Sequence, residues 1–127
     1  WVDVGFHGGA VGLDPHSQKQ YVNRSPEDHV RELIAQGVLG IKVFLCHSGL
    51  DEFPAIDRST LEKVMAIAAP YQVPIWVHAE LVPEGWQSPR QIERYADWPL
   101  YRDATMEQNA IAMMIDLCRL TNCPVHI

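Results

Sequence analysis

The sequence predicts an α/β protein built on a parallel sheet, and three observations carry that expectation. Segments that read as strands alternate with segments that read as amphipathic helices along the 127 residues, the pattern of βαβ units with right-handed crossovers. The runs GIKVFLC (40–46) and VPIWVHA (73–79) are almost wholly apolar, as expected of strands covered on both faces. A complete (β/α)8 barrel takes about 250 residues. The four strand-like segments within residues 1–127 therefore fit one domain that is roughly half of such a barrel. A small doubly wound sheet is the competing architecture.

Trp1–Phe6 alternates enough for a first strand, which the glycines of His7-Gly8-Gly9-Ala10-Val11-Gly12 end. After a polar loop, Ser25-Pro26-Glu27-Asp28 reads as a helix start: a capping serine, a first-turn proline, and acids at the positive end of the dipole. Val30, Leu33 and Ile34 supply the buried stripe of this helix, and Gly37 ends it. The strand around Lys42 follows. Ser59-Thr60-Leu61-Glu62 matches a capping box and opens a helix with Leu61, Val64, Met65 and Ala68 on one face, closed by Pro70. Val73–Ala79 is the third strand, and the long segment after it holds a short helix over about 88–96. Thr105-Met106-Glu107-Gln108, a second capping box, starts the last helix. Its stripe is Ile111, Met114, Ile115 and Cys118, and its stop is Asn122. The end of the chain, CPVHI, reads as a fourth strand.

Composition narrows the function classes. With 47% hydrophobic and 20% charged residues the chain is not of the disordered type. A net charge of -6 with no basic stripe argues against a nucleic-acid partner. No apolar run approaches the roughly 20 residues of a membrane span, and no leader-like segment is visible, so a cytoplasmic protein is expected. Cys46, Cys118 and Cys123 form an odd set without metal-type spacing, which predicts reduced thiols acting as small hydrophobes. Trp1 in place of methionine, with strand-like segments at both ends, predicts a piece of a longer chain. Open sheet edges in such a piece favour self-association.

The chemistry concentrates on polar residues inside apolar strands. Alternation puts Ile41, Val43 and Leu45 toward the helices and Lys42, Phe44 and Cys46 toward a barrel interior. It likewise puts Ile75, Val77 and Ala79 outward and Trp76, His78 and Glu80 inward. Two neighbouring strands thus aim a nitrogen donor at one interior. Desolvation favours the neutral amine of a buried lysine, and a neutral amine takes up carbon dioxide to give a carbamate that bridges two divalent metals, with His78 a further ligand. Spacing alone leaves a second reading open, in which Lys42 reaches the strand end to pair with an acid and His78 is a satisfied core histidine.

The stretch GIKVFLCHSGLDEFP (40–54), the strand PIWVHAE (74–80), the VDVGF strand with its Gly-Gly loop, and the run from Glu107, Ala110 and Ile111 to CPVHI resemble the cyclic amidases of the amidohydrolase superfamily, the allantoinase family above all. As a set these motifs are specific. The resemblance implies an eight-stranded barrel, of which this chain would hold about the third to sixth strands, with carboxylated Lys42 bridging a binuclear metal centre and His78 binding one metal. It implies hydrolysis of a ring amide such as that of allantoin, giving allantoate, with hydantoinase, dihydropyrimidinase and dihydroorotase as alternatives within the class. In that family a metal-bridging hydroxide attacks the ring carbonyl and an aspartate handles the proton. Zinc is the first expectation for the two divalent ions, and iron, cobalt, nickel or manganese suit the same donors. The partner is then a small cyclic amide rather than nucleic acid or membrane, and the longer parent is expected to be a homo-oligomer. A non-catalytic α/β scaffold is the rival from another class, and the piece by itself is expected to be inactive.

The family's paired histidines on its first strand and its last-strand aspartate have no counterpart here, so no proton-handling catalytic residue is assigned. His47, where related hydantoin-opening enzymes have a tyrosine that steadies the oxyanion, is the candidate substrate-binding residue, with a local loop role as the alternative. His126 is the first histidine of a His-x-x-His motif whose second histidine ligates, and it is expected to face the helices. His7 replaces a tryptophan common in the family. His16 and His29 are expected on the surface, and Asp51 and Glu52 in solvent. Trp86, Tyr95, Trp98 and Tyr101 are expected to pack under the long loop or to form a lid.

Overall fold

The computed structural model describes residues 2–12, 25–86 and 94–127. The polar loop with His16 and most of the helix expected over 88–96 lie outside them. In chain order the regular elements are β1 (His7–Gly9), α1 (Pro26–Ala35), β2 (Gly40–Phe44), α2 (Arg58–Ala68), β3 (Ile75–His78), α3 (Trp98–Tyr101), α4 (Ala104–Thr121) and β4 (Val125–His126). A one-turn 3-10 helix over Tyr95–Asp97 leads into α3.

The strands form a four-stranded sheet in the order β1-β2-β3-β4, all neighbours parallel. Strand order that follows chain order is what a barrel wall requires; a doubly wound sheet reverses at its switch point. α1 packs on α2 and α2 on α4. Between them and the sheet lies the core, where Ile41, Val43, Ile75 and Val77 meet Leu61, Val64, Met65, Met114 and Leu117, all 4% exposed or less.

Local chemistry explains the boundaries. Ser25 accepts the Asp28 amide at 3.1 Å and Pro26 opens α1, as the sequence predicts. The caps of the other two long helices fall earlier than expected. Asp57, not Ser59, caps α2: its carboxylate accepts the Thr60 amide at 2.9 Å and the Ser59 and Thr60 hydroxyls at 2.7 Å. These hydrogen bonds hold the Asp57 pKa down to about 2. Asp103 plays the same part for α4, accepting the Thr105 amide at 2.8 Å. A one-turn 3-10 helix over Ala69–Tyr71 extends α2; Gln72 ends it, and Asn122 ends α4, in the left-handed region at φ 54° and 55°.

Three further expectations need correction. The first strand is His7–Gly9 rather than residues 1–6: β1 pairs with Gly40–Lys42, while Val2, Val4 and Phe6 stay exposed. The buried stripe of α4 is Met106, Ala110, Met114 and Leu117, and Ile115 is 46% exposed. His29 is not a free surface residue; its Nε2 lies 3.2 Å from the Gly9 carbonyl oxygen and ties α1 to β1.

Candidate metal centre

Register places the polar residues of β2 and β3 on one surface. Lys42 pairs with Trp76 and Phe44 with His78, and register partners in a sheet present their side chains to the same side. That side lies opposite the helices, because Ile41, Val43, Ile75 and Val77, one position out of phase, fill the core.

Lys42 is half-buried, with Nζ 4.9 Å from the centroid of the Phe44 ring. The same ring stacks on His78 at 5.7 Å. Phe44 therefore touches both expected metal ligands, one reaching it from its own strand and one from the next. Burial lowers the Lys42 pKa, and among the described residues no carboxylate lies in ion-pair range of it. The reading in which Lys42 pairs with an acid has no support among these residues. An amine that loses hydration, gains no anion and retains only a ring face is displaced toward its neutral form.

His78 is half exposed, and its Nε2 lies 3.5 Å from Glu80 Oε2. Glu80 forms an ion pair with Arg102, and the Cys46 thiol approaches the same carboxylate oxygen at 3.7 Å. Arg102 Nη1 also reaches Cys46 Sγ at 3.8 Å, while its guanidinium covers the Trp86 ring at 4.7 Å. The Trp86 indole donates to the Tyr101 carbonyl at 2.9 Å. Burial raises the Glu80 pKa, but the Arg102 and His78 interactions outweigh it and hold Glu80 below the ordinary carboxylate range. Burial, with Glu80, pushes the Cys46 thiol up against the opposing pull of Arg102. His78, Glu80, Trp98 and Arg102 border an open groove of about 560 Å3. Of the expected aromatic group, Trp86 is half-buried against Arg102, whereas Tyr95, Trp98 and Tyr101 are all exposed, Tyr95 at 93%.

His47 stays within its own loop. Its Nδ1 accepts the Gly49 amide at 3.0 Å and its Nε2 lies 3.7 Å from exposed Asp51. In the neutral ring the proton therefore sits on Nε2, a tautomer assigned from the hydrogen bond. His126 corrects the expectation of a helix-facing residue. It pairs in register with Trp76, their ring centroids are 4.3 Å apart, and Val125 takes the core side instead. His7 meets the other side of Trp76 at 5.1 Å. Gly40 lies between these rings, where a Cβ would strike both Trp76 and His7. The alternation of β3 signals Glu80; Arg102, in the turn before α4, carries no such signal and is found only in the structure.

No family model matches the chain. The allantoinase of Saccharomyces cerevisiae is 34% identical over 128 residues, covering 98% of this chain and 25% of the yeast protein. That of Streptomyces avermitilis is 35% identical over 127 residues, covering 99% of this chain and 26% of its own length. Along nearly its whole length the chain is similar to these allantoinases. It spans about a quarter of the length of these curated relatives. An L-hydantoinase (dihydropyrimidinase) from Arthrobacter aurescens superposes with a TM-score of 0.72 at 20% identity, over 98% of this chain and 26% of that one. This allantoinase-like sheet is thus a partial barrel wall, and the face bearing Lys42 and His78 is its inner side.

Proposed function

We propose that this chain supplies two ligands, Lys42 and His78, to the metal centre of a cyclic amidase that hydrolyses allantoin. The observation that carries the reading is Lys42 itself: a desolvated amine with no acid partner among the described residues, sharing the Phe44 ring with an imidazole, in a chain about a third identical to allantoinases along nearly its whole length. The donor types fit a divalent centre, because an amine whose pKa burial lowers and an imidazole flank the same Phe44 ring from neighbouring strands. Two divalent ions, zinc first, would polarise the ring carbonyl and acidify water.

The chain's own residues do the rest. The neutral form of the Lys42 amine attacks the carbon of carbon dioxide: one N–C bond forms, one C–O π bond opens onto oxygen and one proton leaves the nitrogen, so a neutral amine becomes an anion with two ligating oxygens. His78 supplies a neutral nitrogen, and its contact with Glu80 limits rotation of the ring. His47 is proposed to donate its Nε2 proton to the substrate carbonyl oxygen, since its Nδ1 is already occupied by the Gly49 amide. The reading includes a cytoplasmic homo-oligomer for the longer protein.

The test is an assay of the full-length protein, purified with metal and bicarbonate, against allantoin, hydantoin and dihydroorotate. Allantoin is expected to turn over fastest, and Lys42→Ala to abolish turnover of every ring. A fastest reaction with hydantoin would move the protein to the hydantoinases, and full activity in Lys42→Ala would end the metal reading.

A further inference from the structure

The metal reading uses His78 with Lys42, yet His78 Nε2 lies 3.5 Å from Glu80 Oε2. Among the described residues one group of potential ligands converges: Cys46 Sγ, His78 and Glu80, with donor atoms all within 4.8 Å of one another. The Glu80 oxygen lies 3.5 Å from His78 Nε2 and 3.7 Å from Cys46 Sγ. A tetrahedral ion with bonds of about 2.0–2.3 Å holds its ligand atoms roughly 3.3–3.8 Å apart. Two of the three ligand–ligand distances therefore already match the edges of a tetrahedron, and the third, Cys46 to His78, is within 4.8 Å.

We propose that Cys46, His78 and Glu80 form a separate, thiolate-containing site for one zinc-class ion. Cys46 is 3% exposed and Glu80 about one-fifth, so two of the three donors are held by the fold, and the half-exposed His78 opens the site to the groove. Thiolate, imidazole and carboxylate together select a borderline-soft ion such as zinc or cobalt over magnesium or calcium, which prefer oxygen alone. On binding, Cys46 gives its proton to solvent and one sulfur, one nitrogen and one oxygen bond form to the ion, with water at the fourth corner. No electron is transferred. Arg102 Nη1, which already contacts Sγ, supports the thiolate, and its ion pair with Glu80 Oε2 gives way as the ion takes that oxygen.

The site is independent of Lys42 but draws on His78. Where the metal reading above also holds, a bound ion here withdraws the imidazole from the carbamate side, and excess zinc inhibits.

The experiment titrates the 127-residue chain, and in parallel the full-length protein, with cobalt(II) alone. A sulfur-to-cobalt charge-transfer band in the near ultraviolet is expected, saturating at one equivalent and displaced by zinc. Cys46→Ser should abolish the band, and Lys42→Ala should leave it unchanged, which separates this site from the carbamate reading. Should Cys46→Ser not fold, Glu80→Gln gives the second readout, an apparent affinity lower by about tenfold or more. A folded protein without the band, or a band that survives in Cys46→Ser because Cys118 or Cys123 supplies it, overturns the proposal.

Discussion

On one face of the sheet Ile41, Val43, Leu45, Ile75 and Val77 are at most 5% exposed and meet apolar side chains from the helices. On the other face Lys42, Trp76, His78 and Glu80 follow the same strands at the alternate positions, and each carries a polar group into a half-open surface. The strands are shared, so backbone pairing cannot account for the difference. Burying apolar surface stabilises by about 25 cal/mol per Å2, and the helix face collects that gain. A lysine on the inner face loses hydration without an ion-pair partner among the described residues, which is a cost unless the amine is put to chemical use. One face holds the sheet together, and the other carries residues that stability alone would not select.

The sharpest break of this contrast is Ile75→Ala on the helix face. It should cost about 2–5 kcal/mol in urea denaturation through lost burial and an unfilled cavity. Lys42→Met on the inner face should change stability by less than about 1 kcal/mol, or raise it, while removing activity; a core-sized loss there would erase the distinction between the faces.

Arg102→Met lies between these extremes. It leaves the partly buried Glu80 carboxylate with only His78 and Cys46 beside it among the described residues, at a cost of about 1–3 kcal/mol at neutral pH. Glu80 has its pKa lowered in the folded state, so the pair's contribution is complete above the ordinary carboxylate range and is lost as pH falls through the folded value. The stability gap between wild type and Arg102→Met should accordingly close in acid, as followed by denaturation at stepped pH.

Asp57→Ala, on neither face, should cost about 1 kcal/mol as a lost cap. Its folded pKa of about 2 lies below the ordinary 3.8, so the contribution is present above pH 3.8 and disappears as pH falls toward 2. Tyr95→Ser, at a ring 93% exposed, should shift the midpoint by no more than about 0.5 kcal/mol.

The helix face was legible because strand alternation leaves no choice once the branched aliphatics are assigned to the core, and the same parity delivered Lys42, Trp76, His78 and Glu80 to the inner side. The helix starts were less legible. Asp57 and Ser59, like Asp103 and Thr105, are rival caps two residues apart, and the rivalry is settled by which oxygen reaches an amide at the right distance. Size alone points to Ile115 rather than Ala110 for the stripe of α4, whereas close packing admits the alanine and excludes the isoleucine. His126 was misplaced by arguing from a motif partner rather than from its register with Trp76. The Cys46–Arg102 contact joins positions 56 residues apart, and no local pattern announces such a contact.

The most direct test of the central claim is the mass of the peptide containing Lys42, measured in the intact full-length protein purified with bicarbonate and metal under conditions that preserve carbamates. The account predicts an added carbon dioxide at Lys42, lost on acidification and absent in Lys42→Ala. An unmodified lysine in a protein that nonetheless hydrolyses allantoin would contradict it.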